Sequence, residues 1–69
     1  MIERAISLTL DREPTLARDA AASRSKAWGA LAARGVLAFR EVAGRAPTDL
    51  ERRAIWAGLW HAAKELDAR

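Results

Sequence analysis

Read at about 100° per residue, residues 24–43 place Ala27, Trp28, Leu31, Ala32, Gly35, Val36, Ala38, Phe39, Val42 and Ala43 on one side of a helix. Lys26, Arg34, Arg40 and Glu41 fall opposite, with Leu37 the large apolar exception. Residues 49–67 repeat the pattern. Ile55, Leu59, Ala62, Ala63 and Leu66 form a stripe that Trp56 and Trp60 widen, while Arg53, His61, Lys64 and Glu65 take the other side. Each segment predicts an amphipathic helix of about 30 Å, from a rise of about 1.5 Å per residue.

The join between them carries strong local signals. Gly44 suits the left-handed residue that ends a helix, and Pro47 forbids continuation through the residue before it. Thr48 and Glu51 have the Thr-x-x-Glu spacing of a capping box, so a new helix starts at 49. A turn confined to 44–48 predicts that the two helices run antiparallel as a hairpin.

The N-terminal pattern differs. Ile6, Leu8 and Leu10 alternate with Ala5, Ser7 and Thr9, which predicts a short strand or extended arm over 1–13. Ile2, Ala5, Ile6, Thr9 and Leu10 also fit helical spacing. The strand is preferred because Ile, Ser and Thr dominate and Asp11 to Pro14 break the run. Pro14 then opens a short helix over 14–22. The expected fold is mainly α: an N-terminal strand or arm, a short helix and a long antiparallel helical hairpin, in one domain.

Both apolar arcs are broader than a two-helix hairpin can cover. The remainder must meet either the N-terminal segment or a second copy of the chain. A lone strand has no ladder partner within the chain, so pairing with its equivalent in another subunit predicts a homodimer with a helical-bundle core.

Composition narrows the chemistry. At 69 residues the chain is near the lower limit for a self-sufficient core, and with no cysteine it has neither disulfides nor thiolate metal sites. A single histidine, His61, four residues before Glu65, supplies too few ligands for a metal. There is no Tyr and no Gly-rich phosphate loop, and nothing places a nucleophile beside His61. The expectation is a protein with no catalytic residues, metal or cofactor. The opening M-I-E-R-A-I-S-L-T-L lacks a basic leader and a long apolar run, and no stretch approaches the roughly 20 apolar residues of a membrane span. These features predict a cytoplasmic protein that makes no membrane contact.

The net charge of +3, almost all of its cations arginine, is compatible with nucleic acid or an acidic partner. In T-L-A-R-D-A-A-A-S-R-S-K-A-W a short helix meets a polar break and a longer helix, as in a helix-turn-helix, although Ala20-Ala21-Ala22 stands where such turns often carry Gly. That arrangement would present Arg24, Ser25 and Lys26 to the major groove of double-stranded DNA, with Arg18 on the preceding helix. A paired N-terminal strand flanked by Arg4 offers a second route. Its strand-to-helix order resembles the ribbon-helix-helix architecture of small repressors, here with a second long helix appended.

Arg52, Trp56, Trp60 and Lys64 form an i, i+4 ladder. Exposed, it would be a base-stacking platform; buried, it would be part of an interface, and burial is preferred. Trp28, Phe39, Trp56 and Trp60 are therefore candidates for an oligomer or partner interface. Two functions follow. The first is a small basic DNA-binding regulator acting as a homodimer; the alternative is a non-catalytic helical module for protein–protein interaction or oligomerisation.

Overall fold

The computed structural model describes residues 1–24 and 26–68, with side-chain surroundings through Leu66. The described residues form four helices: α1 Ile2–Arg12, α2 Pro14–Ala21, α3 Ala27–Ala43 and α4 Asp49–Ala68. No strand occurs among them.

The N-terminal segment is a helix, which corrects the strand expectation. A strand would have placed Ala5, Ser7 and Thr9 on one face. Instead Ala5 and Thr9 are 0% and 1% exposed, while Ser7 faces solvent. The helical spacing of Ile2, Ala5, Ile6, Thr9 and Leu10 describes the buried face. A solitary strand leaves its backbone groups unpaired, whereas a helix satisfies them internally. The buried Thr9 hydroxyl is satisfied in the same way, donating to the Ala5 carbonyl at 2.8 Å. Without a strand there is no ribbon to pair across subunits, and the ribbon-helix-helix resemblance falls with it.

Glu13, at φ −130° and ψ 55°, separates α1 from α2, and Pro14 occupies the first turn of α2. The α2 helix buries only small residues, Ala17, Ala20 and Ala21, so it lies close to its neighbours. It ends in a Schellman arrangement: the Ser23 N–H donates to the Ala20 carbonyl and the Arg24 N–H to the Asp19 carbonyl. Ser23 adopts φ 60° there, and Lys26 adopts φ 67° just before α3. These two left-handed residues explain why α3 starts at Ala27 rather than at position 24.

The α3 helix ends at Gly44, φ 73°, whose N–H reaches the Arg40 carbonyl at 2.9 Å. The capping box then forms as its spacing implies. The Thr48 N–H donates to Glu51 Oε1 at 3.0 Å, and the Glu51 N–H donates to Thr48 Oγ1 at 3.2 Å. Arg45 grips the same carboxylate with both terminal nitrogens, at 2.7 and 2.9 Å. Its guanidinium also lies 5.3 Å from the centre of the Phe39 ring.

Leu31, Phe39, Ile55, Leu59 and Ala63 are fully buried at the centre of the core. Gly35 lets α4 approach α3: a Cβ there would stand 2.6 Å from Leu59 Cδ1 and 3.0 Å from Ile55 Cγ2. Gly58 does the same for α1, because a Cβ on it would collide with the Ile6 side chain. The N-terminal helices thus cover much of the two broad arcs. Ion pairs of Arg12 with Glu41 and of Arg34 with Glu13 tie α1 and the α1–α2 junction to α3. Lys64 Nζ donates to the Ala21 carbonyl at 3.2 Å, placing a cation at the C-terminus of α2. The long helices are not a bare two-helix unit awaiting another subunit.

Candidate functional site

One face formed by α3 and α4 remains open. A groove of about 380 Å³ is lined by Trp28, Gly29, Ala32, Ala33, Val36 and Trp56. Its floor on α3 follows from sequence spacing. Residues 29, 32, 33 and 36 stand at i, i+3, i+4 and i+7, so they share a side of the helix. None carries a side chain larger than valine, which leaves a trough. Gly29 has no atom within 4 Å of where its Cβ would be.

The wall on α4 is aromatic. Trp28 and Trp60 meet edge to face, with ring centres 5.5 Å apart and planes at 84°. Trp60 remains 39% exposed. Lys64 Nζ sits 4.7 Å from the centre of the Trp60 ring, and the Arg52 guanidinium 5.3 Å from that of Trp56. The Arg52–Trp56 and Trp60–Lys64 contacts of the i, i+4 ladder are therefore present. A base stacking on Trp60 would have to compete with Lys64 for that ring. The indole Nε1 of Trp56 is buried and has no hydrogen-bond partner among the described residues.

Two cations of α4, Arg52 and Lys64, stand over Trp56 and Trp60. Arg52, Arg53 and Lys64 are exposed on α4, while Arg40, one turn after Val36 on α3, lines the cleft with Thr9 and Arg34. Asp49 is already bound to Arg52 at 2.6 Å.

The other candidates are dispersed. Phe39 is 0% exposed and is a core residue, which corrects its nomination as interface. Arg18, Arg24 and Lys26 are all exposed near the α2–α3 connection, and Arg24 pairs with Asp19 at 3.5 Å. Arg4 instead lines a cleft with Glu41 and Val42 at the far end of α3. About 24 Å of helix separates the two ends. The DNA-nominated residues therefore do not form one patch. Ser25 lies outside the described residues.

A second cleft, of about 470 Å³, is bounded by Thr9, Arg12, Glu13, Arg34, Leu37 and Arg40, with Glu41 at its edge. Its charges are mostly committed to the Arg12–Glu41 and Arg34–Glu13 pairs, and Thr9 bonds within its own helix. The strongest electrostatic perturbation is elsewhere, in the α3–α4 turn. Hydrogen bonds from Arg45 and from Thr48 hold the Glu51 carboxyl at about 2, against an ordinary value of 4.5. The same partnership raises the Arg45 guanidinium. Both groups are consumed by the turn itself. No group of three potential metal ligands occurs among the described residues, and none of their helices is long and apolar enough to cross a membrane.

The exposed floor of the groove was not nominated from the sequence. Gly29 and Ala33 are small and carry no chemical signal; only Trp28, Trp56 and Trp60 marked the place. Comparison with known proteins yields no match to a family model, a curated protein or a solved structure. The fold and face define a small all-helical domain, and any function must be argued from that face.

Proposed function

We propose that this chain is a non-catalytic helical protein-interaction module whose recognition surface is the α3–α4 groove. One observation carries this reading. After α1 and α2 have covered the core, an apolar trough walled by Trp28 and Trp56 stays open, with Trp60 exposed at its side. Tryptophan and arginine are the residues most often responsible for binding energy at protein interfaces. Here they stand together beside a floor of small side chains, a shape suited to a partner's helical ridge.

Gly29→Glu tests the proposal. The new side chain enters open space, so the fold is retained, but it fills the trough with a charge. The variant should keep wild-type helicity and thermal midpoint and lose the partner that wild-type protein captures by chemical cross-linking. Unchanged capture by a folded Gly29→Glu protein would refute the groove as the recognition surface.

The DNA-binding regulator is a second reading, favoured by the exposure of Arg18, Arg24 and Lys26 around one helix connection. It predicts duplex affinity that falls steeply with salt and weakens in Arg18→Ala and Lys26→Ala. In its homodimeric form it also predicts dissociation on dilution, measurable by sedimentation. A duplex titration at low ionic strength with no signal would remove this reading and leave the first intact.

A further inference from the structure

The turn between α2 and α3 is held by tertiary packing against the preference of its own sequence. From Thr15 to Trp28 the chain has neither Gly nor Pro, and its middle reads A-A-A-S-R-S-K-A, residues that a helix accepts well. By local preference α2 would continue into α3. Instead the backbone enters the left-handed region at Ser23, φ 60°, and again at Lys26, φ 67°. Both residues carry a Cβ, which that region disfavours, and neither is the Asn or Asp that tolerates it best. The α3–α4 turn is built differently: Gly44 takes the left-handed position, and Pro47 forbids a continuous helix.

We propose, independently of the groove, that the α2–α3 connection is a hinge through which two copies of the chain exchange α1 and α2, giving a domain-swapped dimer. The pair leaves as a unit, because α1 and α2 touch each other little and pack on α3 and α4 instead. Ala5 and Thr9 of α1 and Ala17, Ala20 and Ala21 of α2 are buried there, and Ile6 seats on Gly58. Removing them bares the core around Ile55 and Leu59, so an open chain persists only where a second open chain supplies the same two helices. The occupant of the vacated surface is thereby fixed. It is residues 2–21 of another copy, making the contacts that the closed chain makes with itself.

Opening the hinge relieves strain and forfeits little. With the connection helical, Ser23 and Lys26 return to the right-handed region, and Pro14–Ala43 becomes one helix of about 45 Å at about 1.5 Å per residue. The contacts particular to the closed hinge are the exposed Arg24–Asp19 pair at 3.5 Å and the two amide bonds that end α2. Contacts that span the exchange re-form between chains: Arg12 with Glu41, Arg34 with Glu13, and Lys64 with the Ala21 carbonyl. A short, strained hinge between a detachable unit and its docking surface is the arrangement that favours swapping.

The test takes the full chain at millimolar concentration, anneals it through partial unfolding, returns it to native buffer and separates it by size-exclusion chromatography. A dimer of undiminished helicity should appear. The chain has no cysteine, so Arg12→Cys and Glu41→Cys mark the exchange cleanly at two half-exposed positions that face each other in the closed unit. When the two single variants are annealed as an equal mixture, a short bis-maleimide should join the chains of the dimer fraction and leave the monomer fraction unjoined. Ser23→Ala with Lys26→Ala favours the helical hinge and should raise the dimerisation constant about tenfold or more. Ser23→Gly with Lys26→Gly removes the left-handed penalty and should lower it by a similar factor. Return of all protein to monomer after annealing would overturn the proposal. So would a dimer whose mixed chains stay unjoined, which is a side-by-side contact, or equal dimer yields from the alanine and glycine hinge variants. Each of these outcomes is separate from the Gly29→Glu test of the groove.

Discussion

Gly29, Gly35 and Gly58 all lie within helices, yet their surroundings assign them opposite roles. At Gly35 a methyl group meets Leu59 and Ile55, both fully buried and with little room to move. Gly35→Ala should destabilise the fold by about 1–3 kcal/mol through overpacking, despite the gain in helix propensity. Gly29 has open space, and Gly29→Ala should be neutral or stabilise by up to about 1 kcal/mol. Denaturant unfolding of the two variants measures the contrast; equal effects would mean that the α3–α4 approach is misplaced. Trp56 offers another test at this scale. Its buried Nε1 has no acceptor, so Trp56→Phe sacrifices no hydrogen bond and removes an unmet desolvation cost of about 1–3 kcal/mol. Stability should change far less than in Trp56→Ala, which removes most of the groove wall.

At the scale of elements, the helix ends flanking the α3–α4 turn were legible and the first helix was not. Gly44, Pro47, Thr48 and Glu51 act within a few residues of one another, so their meaning survives without tertiary context. Residues 2–10 carry a β-like composition, and their alternation coincides with a helical period. What decides between the two is distant: Ala5 and Thr9 are buried under other helices, and Ile6 reaches Gly58. Ala5→Asp separates the alternatives, since the strand reading put Ala5 on the outward face. The helix predicts loss of several kcal/mol or failure to fold from an unpaired buried charge. The end of α2 also hid its signal, because a serine occupies the left-handed position usually given to glycine. Ser23→Gly should stabilise by about 1 kcal/mol by relieving that conformation. The α3–α4 turn should respond to acid. Glu51 titrates below its unfolded value, so its contribution is complete above about pH 4.5 and is lost as pH falls toward about 2. Thermal melts across that range should show wild type losing more stability than Glu51→Gln; parallel curves would contradict the Arg45–Glu51–Thr48 arrangement.

For the whole molecule, the breadth of the apolar arcs was correctly read from the sequence, but its explanation depended on what covers them. Residues 2–21, as α1 and α2, take up surface that a second subunit was expected to cover. Phe39 went from candidate interface to core for the same reason, because a helical wheel orders residues around an axis without saying which neighbour arrives. The tryptophans survived as candidates because α3 and α4 meet where Trp28 reaches Trp60. The cations nominated for DNA were linked by sequence proximity or by an expected strand, and Arg4 is separated from the others by the length of α3.

The central claim, that the α3–α4 groove is the recognition surface of a non-catalytic module, is most directly tested by comparing Gly29→Glu with wild type in one cross-linking measurement, with circular dichroism on the same samples. The account predicts unchanged helicity and thermal midpoint together with loss of the cross-linked partner. A folded Gly29→Glu protein that still captures the same partner at the same yield would contradict it.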